Sequence, residues 1–275
     1  MKGILYIVST PIGNLEDITL RALRVLKEVD LIAAEDTRHS LKLLNHYGIS
    51  KPMISYWREK EKARSDDIVK RLKSGQSVAL ISDSGTPGIS DPGALLIQKA
   101  IEEDILVVSI PGPSAFVAAL SLSGLPAERF TFSGFLPSKR GQRQKVLNDL
   151  KLEQGTIILY EAPHRIVETL SDMVNIFSGR KAALAKEITK IHEEVFRGTV
   201  SEILTSLNKT EIAGEYVILI EGMTGEHKGI TEDVLSEIRS LLKKGLGRKE
   251  AVKKIAEEYG MSKQELYRTS LNKIP

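Results

Sequence analysis

No cysteine occurs among the 275 residues of the chain, which excludes disulfides and thiolate zinc sites. Five histidines, His39, His46, His164, His192 and His227, form no ligand-spaced cluster, so no structural metal is expected. No predicted strand is followed by GxGxxG, and neither a Walker loop nor a GxSxG elbow is present. The usual dinucleotide fingerprint, the phosphate-binding loop and the exposed nucleophilic serine are therefore missing. The longest uncharged stretch, Ile105 to Ala127, is broken by Pro111-Gly112-Pro113 and diluted by serines, so it is no membrane helix. Nothing at the N-terminus resembles a signal peptide, because the first strand starts at once at Ile4; the expected location is the cytoplasm. These absences leave a reaction run by positioning two bound reactants, with a cosubstrate carrying the hard chemistry.

What is present is concentrated in one stretch. Val78 to Ile81 is a short apolar run of the kind that forms a buried parallel strand. Between Ser82 and Gly93 stand three Gly, two Pro, three Ser, one Thr and two Asp, with Ile89 the only large side chain. Gly85, Gly88 and Gly93 permit positive φ and close approach of a ligand to the backbone. Pro87 and Pro92 stiffen the loop, and an apolar helix follows, with Asp91 as its expected cap. A strand, a stiff glycine-rich loop and a helix start are what the carboxyl rim of an open α/β sheet uses to bind ligands.

The surrounding pattern supports that rim. Strands are predicted at Ile4–Ser9, Leu31–Glu35, Met53–Tyr56, Val78–Ser82 and Leu106–Ile110, separated by helices at Leu20–Glu28, Thr37–His46, Glu61–Ser74 and Gly93–Glu103, with Pro113–Ser123 after the last strand. Repeated strand–helix units predict a parallel sheet covered on both faces. The loops after strands one, two, four and five are Ser9-Thr-Pro-Ile-Gly-Asn14, Glu35-Asp-Thr-Arg-His39, the glycine-rich loop and Pro111-Gly-Pro-Ser-Ala115; on one rim they predict one pocket. Leu125-Pro126-Ala127 reads as a joint between a first domain, 1–124, and a second, 125–224. Strands are predicted there at Phe130–Phe135, Thr156–Tyr160, Ala182–Ile188, Glu193–Arg197 and Tyr216–Ile220, with helices at Gly141–Leu150, His164–Phe177 and Val200–Leu207. The third and fourth strands lie too close in sequence for an intervening helix, so they predict an antiparallel hairpin and a mixed α/β sheet. Gly225 to Gly229 reads as a linker. Helices at Glu232–Lys244, Arg248–Tyr259 and Lys263–Leu271, with Ser262 as an N-cap and Ala251, Ile255, Met261 and Leu266 as apolar positions, make 230–275 a helix-turn-helix-like tail or a plain helical appendage.

Net charge is +3. From Glu226 to Pro275 there are 11 Lys+Arg against 8 Asp+Glu, which accounts for the whole excess. Lys139, Arg140, Arg143, Lys145 and Lys151 face only Asp149 as an opposing charge. Such a segment is a phosphate-binding patch or solvated surface.

Several rim segments together resemble the tetrapyrrole methylase superfamily, and within it the branch that acts on ribosomal RNA. The matching segments are Thr10-Pro-Ile-Gly-Asn-Leu15, Ala34-Glu-Asp-Thr-Arg38, Ser82 to Gly93, Pro111-Gly-Pro-Ser-Ala115, Gly134-Phe-Leu-Pro137, Tyr160-Glu-Ala-Pro-His-Arg165 and Lys186-Glu-Ile-Thr-Lys190. Ser84 stands where the family usually has Ala, and Tyr56 to Glu61 lacks a histidine often found there. The resemblance implies S-adenosylmethionine as cofactor, bound in a cleft between the two domains. It also implies a homodimer that methylates the ribose 2′-hydroxyl of a cytidine in the decoding region of 16S ribosomal RNA, in the small ribosomal subunit. Methylation of a corrinoid or another small molecule on the same scaffold, and a ligand-responsive DNA-binding regulator, are the competing expectations.

Carried onto this chain, the family's cofactor cleft falls on Pro11, Asp83, Gly85, Ser114 and Ala115 in the first domain, and on Tyr160, Glu161 and Glu215 in the second. The free N–H groups of the helix after Pro113 would hold a carboxylate. A ribose hydroxyl is a poor nucleophile while protonated, so a base or a cation near it would help. Glu35 and Asp36 on one side and Lys186 and Glu187 on the other are the candidates, with Asp36 preferred as base and Lys186 as cation; interdomain salt bridges are the alternative reading. Arg38, His164 and Arg165, with Lys139 and Arg140, suit phosphate or base contacts.

Overall fold

The structure, a computed structural model, describes residues 2–223, 232–259 and 263–274. The expected linker at 225–229, the Ser262 cap and Met261 lie outside the described residues.

Five strands, β1 (Ile4–Val8), β2 (Leu31–Ala34), β3 (Met53–Ser55), β4 (Val78–Ile81) and β5 (Leu106–Ile110), form an all-parallel sheet in the order β3-β2-β4-β1-β5. Their residues are Val, Ile, Leu and Ala runs, buried on both faces in β2 and β4, as parallel strands between helical layers must be. The helices are α1 (Leu20–Glu28), α2 (Thr37–His46), α3 (Glu61–Lys73) and α4 (Ala94–Glu102). Thr19 caps α1 through Ala22 N–H and Asp36 caps α2, each satisfying a donor the helix leaves open. Asp91 does not cap α4. Gly93 takes the N-cap position at φ 147°, and its N–H donates to Glu61 Oε1 of α3 at 2.9 Å. A carboxylate from the neighbouring helix thus replaces the local cap, and Asp91 stays on the loop.

Because β1 and β4 are neighbours, the loops that follow them meet. Thr10 and Gly85 exchange backbone hydrogen bonds, Thr10 N–H to Gly85 O at 2.9 Å and Gly85 N–H to Thr10 O at 3.1 Å. Gly85 holds φ 79° there, a left-handed conformation that costs glycine little.

The second sheet is mixed. Strands β6 (Phe130–Phe135), β7 (Thr156–Glu161), β8 (Lys181–Lys186), β9 (Glu194–Thr199) and β10 (Tyr216–Ile220) run in the order β6-β7-β10-β8-β9. Only β6 and β7 are parallel; β8 and β9 form the antiparallel hairpin the short connection predicted. Helix α5 (Ala115–Ser123) follows β5 in the chain yet packs on the second sheet, where Ala119 and Leu120 join Ile158, Ala183, Val217 and Leu219 in one buried cluster. Ile12 of the β1 loop belongs to the same cluster. One helix and one loop from the first sheet therefore fasten the two sheets together, and the cleft forms at that seam. On the far face of the second sheet lie α6 (Arg140–Leu150), α7 (Ile166–Val174) and α8 (Val200–Leu207), the last held by a Thr199–Glu202 capping box.

Helices α9 (Glu232–Lys243), α10 (Arg248–Tyr259) and α11 (Lys263–Lys273) have a core of their own, built on Leu235, Ile238, Val252, Ile255 and Leu266. Among the described residues, no helix is long and apolar enough to cross a membrane.

Candidate functional site: two cavities sharing a border

The sequence predicted one pocket on the rim; the structure has two. The Thr10–Gly85 bridge lies between them. A first cavity of about 490 Å³ opens among the glycine-rich loop, the start of α5 and the β7 and β10 ends of the second sheet. A second, of about 520 Å³, is walled by the β1 loop, α2 and the tip of the β8–β9 hairpin. Ile12, Ser84 and Glu215 line both, so whatever passes between the cavities passes these three side chains.

The first cavity is walled by Ile12, Ile89, Phe116, Phe135, Tyr160 and Val217, with Asp91 and Glu215 as carboxylates at its edge. Tyr160 stands edge-on to Phe132 and Phe135, and its hydroxyl accepts from Phe116 N–H at 3.2 Å. Burial pushes that phenol up to about 12. Ser114 occupies the N-cap of α5 without a side-chain cap; with the Phe116 N–H taken by Tyr160, the rest of the first turn and the positive end of the helix dipole face the cavity. Of the residues predicted for a cofactor, Gly85, Ser114, Ala115, Tyr160, Glu161 and Glu215 line this cavity, whereas Pro11 and Asp83 line the second. Glu161 is 2% exposed, and its carboxylate accepts from Thr169 Oγ1 at 2.6 Å and Ala162 N–H at 2.9 Å. It also pairs with Arg165, whose Nη2 donates to the Leu136 carbonyl at 2.7 Å. Glu161 and Arg165 thus tie the β7–α7 turn to the end of β6.

Glu35, Asp83 and Asp91 gather at the carboxyl ends of β2 and β4. Burial raises all three carboxyls above the ordinary carboxylate range, and for Glu35 the nearby Asp91 and Asp83 add to it. Asp83 Oδ1 accepts from Asp36 N–H at 3.1 Å. Asp36 in turn caps α2, its Oδ1 accepting from Arg38 and His39 N–H at 2.8 and 3.4 Å. Neither Glu35 nor Asp36 lines either of these two cavities. Asp36 serves as the N-cap of α2, and Asp83 carries the side chain that faces the second cavity.

On the opposite wall, Lys186 donates to the Glu211 carbonyl at 2.8 Å and lies outside both cavities. On that wall it is Lys190 that lines the second cavity, facing Lys42 of α2 across it; Lys190 lies in a segment that the sequence marked without assigning the lysine a role. Its ammonium donates to Glu187 Oε1 at 2.8 Å and Glu215 Oε2 at 3.1 Å. Burial alone would lower the Lys190 ammonium, but the two carboxylates outweigh it and raise it; burial likewise opposes Glu187, and Lys190 and the Glu215 N–H hold it low. The β8 strand ends at Lys186, two residues earlier than predicted, because Glu187 and Thr189 adopt φ 52° and 69°. Such conformations cost on the order of 1–3 kcal/mol each and persist only where surroundings impose them. Those surroundings are close. Gly214 passes so near that a Cβ there would stand 2.3 Å from the Glu187 carboxyl.

Of the predicted phosphate contacts, Arg38, Lys139 and His164 are exposed. Arg140 pairs with Asp172 at 3.0 Å, beside the fully buried Arg143, which binds the same carboxylate at 2.7 Å. Two of the five basic residues read from the sequence as one segment, Arg140 and Arg143, are therefore tied into an ion network joining α6 to α7. Among the described residues, no group of three or more His, Asp or Glu is arranged to hold a metal ion.

The model of the tetrapyrrole (corrin/porphyrin) methylases matches residues 4–204. The chain belongs to the tetrapyrrole methylase family. Among relatives, the Synechocystis protein named "Ribosomal RNA small subunit methyltransferase I" is 46% identical over 273 residues, covering 98% of each chain. The Bacillus subtilis protein of the same name is 43% identical over 271 residues, covering 96% of this chain and 93% of that one. A Thermotoga maritima protein of that name is 46% identical over 220 residues, which is 99% of it but 80% of this chain; a fifth of this chain has no counterpart there. Among solved structures, a diphthine synthase superposes with a TM-score of 0.60 at 17% identity, covering 80% of this chain and 90% of that one. A Thermus thermophilus uroporphyrin-III C-methyltransferase complexed with S-adenosyl homocysteine does so with 0.55 at 18%, covering 80% and 97%. At these identities the likeness shows the tetrapyrrole methylase fold.

Proposed function

We propose that this chain transfers a methyl group from S-adenosylmethionine to ribosomal RNA of the small subunit, at the ribose 2′-hydroxyl of a cytidine in the decoding region of 16S RNA. The observation that carries the reading is the pair of cavities with a common border. One is an apolar, aromatic-walled chamber and the other a recess of mixed lining that carries Lys190 and Asp83. Near-complete coverage at 43–46% identity by proteins named for methylating small-subunit RNA favours that acceptor over a tetrapyrrole. The neighbours named for uroporphyrin stand at 17–19%.

The first cavity fits the methyl donor. Its volume is that of a small-molecule site. Phe116, Phe135 and Tyr160 offer faces for a planar base, the open first turn of α5 suits a carboxylate, and Asp91 and Glu215 suit positive charge on an amino group or a sulfonium. Bound there, S-adenosylmethionine supplies a methyl group already activated on sulfur, so no covalent intermediate on the chain is required. The chain's own work is to bind, to exclude water and to bring an oxygen to the border formed by Ile12, Ser84 and Glu215. The exposed Arg38, Lys139 and His164 are the proposed phosphate contacts.

A homodimer is part of this reading. Leu106 of β5, the outer strand of the all-parallel sheet, is 60% exposed where such strands are normally covered, and Phe130 of β6, the outer strand of the mixed sheet, is 44% exposed. A second copy seated on these edges would cover them.

The test is a labelled-methyl transfer assay comparing small ribosomal subunits, naked RNA and a tetrapyrrole as acceptors. The account expects label in the RNA of one of the first two. Label only in the tetrapyrrole would overturn it.

A further inference from the structure

The second cavity has an unusual wall. A hairpin tip that could have been an ordinary turn is instead held in a strained form, and the strain has one visible product: the place of the Lys190 ammonium. Glu187 and Thr189 both take positive φ. The form is fixed from both sheets. Glu187 N–H donates to the Glu215 carbonyl at 3.0 Å while Glu215 N–H donates to Glu187 Oε1 at 2.9 Å. From the first sheet, Asn14 N–H donates to Thr189 Oγ1 at 3.1 Å, and Gly13 lies against the Lys190 stem. Within the tip, Thr189 N–H donates to Glu193 Oε2 at 2.6 Å. The loop carries the ammonium to the carboxylate of Glu215, one of the three side chains that line both cavities.

We propose that the second cavity receives the acceptor nucleoside and that Lys190 and Glu215 are the catalytic pair at its hydroxyl, with Glu187 as the positioning residue that holds Lys190. This assignment rests on the reading of the chain as an RNA ribose methyltransferase. The hydroxyl gives its proton to the Glu215 carboxylate as its oxygen gains the methyl group; the bond from methyl to sulfur breaks, and its electron pair stays on sulfur as a neutral thioether. The Lys190 ammonium stabilises the negative charge that develops on the oxygen meanwhile. An ion pair already formed at 3.1 Å needs little rearrangement to do this. Ser40, His39 and Lys42 of α2 and Asp83 add donors and acceptors to a wall that also carries Ile12, Leu15 and Leu43, a mixture suited to the sugar and base of a nucleoside.

The plain alternative is a salt bridge that merely joins two sheets. Three measurements on the full chain separate the two: calorimetric affinity for S-adenosylmethionine, single-turnover methyl transfer to small subunits, and affinity for an RNA fragment carrying the target nucleoside as ribose or as its 2′-deoxy form. Lys190→Met should leave donor affinity within about twofold, slow transfer by roughly 10²-fold, and erase the preference for ribose over deoxyribose in binding. Lys190→Arg should recover part of that preference. Glu187→Gln should weaken the preference without moving donor affinity, an effect a structural tie would not produce. Glu215→Gln at saturating donor should slow transfer by a similar factor, with the loss shrinking as pH rises and hydroxide substitutes for the carboxylate. A Lys190→Met chain with wild-type transfer and wild-type ribose preference overturns the assignment, and a pH-independent Glu215→Gln defect overturns the proton-acceptor role. A wild-type chain that methylates no RNA overturns the underlying reading instead, and that result is seen before any variant is made.

Discussion

Gly13, in the loop after the first strand, and Lys190, in a hairpin of the second sheet, approach so closely that a Cβ on Gly13 would stand 2.5 Å from Lys190 Cγ and 2.9 Å from Thr189 Oγ1. Gly13 also holds φ 153°, which side-chain-bearing residues rarely adopt. The two sheets therefore meet here backbone to side chain, and the width of the second cavity is set by the absence of one methyl group. Gly13→Ala should push the hairpin tip away, at a cost on the order of 1–3 kcal/mol. Methyl transfer should fall while donor affinity, which belongs to the other cavity, stays near wild type. Parallel calorimetry and transfer assays on this variant check both halves.

The donor cavity makes its own prediction. Gly85 carries φ 79° and forms the bridge to Thr10, so Gly85→Val both strains the backbone and places a branched side chain at the cavity wall. Affinity for S-adenosylmethionine should drop by at least roughly tenfold, equal to about 1.4 kcal/mol. Tyr160→Phe removes only the acceptor for Phe116 N–H and should cost about 1 kcal/mol or less of affinity. Equal affinities for Gly85→Val and wild type would detach the donor from this cavity.

Stability has a separate centre. Arg143 is fully buried against Asp172, itself 2% exposed at the side chain. Burial alone would raise the Asp172 carboxyl, but hydrogen bonds from Arg143, Gln144 and Arg140 win and hold it below the ordinary range. A lowered acid contributes stability that is present above its unfolded value, near 3.8, and is lost as pH falls through the lower folded value. Asp172→Asn should cost about 1–3 kcal/mol at neutral pH, since the buried Arg143 loses its buried charge partner and keeps only the half-exposed Glu168 at 2.8 Å. It should also flatten the acid limb of the unfolding curve. Chemical denaturation from neutral pH down to about 2 checks the sign.

Much of this was legible in the sequence, for reasons visible residue by residue. Val78 to Ile81 announced a parallel strand because nothing in it is polar, and the short link between β8 and β9 left room only for a hairpin. Sequence could not show that α5 leaves its own sheet for the second one, because its nearly uniform apolar composition fits either surface. Asp91 as a cap failed for a tertiary reason: Glu61, 32 residues away, reached the helix start first. That Lys190 rather than Lys186 lines the second cavity goes with two positive φ values at non-glycine residues, which no propensity announces. Arg140 and Arg143 read as a surface patch because their partner, Asp172, lies about 30 residues on; a charge looks unpaired in sequence whenever its partner sits on another helix.

The C-terminal helices have a core of their own, and a fifth of this chain has no counterpart in the Thermotoga maritima relative. Deleting residues 232–275 should therefore leave donor affinity intact. RNA affinity should fall, with a shallower dependence on salt as phosphate contacts are lost. Titrations at several salt concentrations give the slope directly. An unchanged slope would assign the tail a structural role.

The central claim, that the acceptor is a ribose hydroxyl of ribosomal RNA, is tested most directly at the oxygen itself. Once the labelled nucleotide has been mapped, small subunits can be reconstituted with its 2′-deoxy analogue at that one position. A 2′-hydroxyl is what distinguishes RNA from DNA at such a site, whereas phosphate contacts supply most of the affinity. The substituted subunit should still bind, compete with the natural one and accept no methyl group. Methyl transfer to the deoxy-substituted subunit would contradict it and move the reaction to the base.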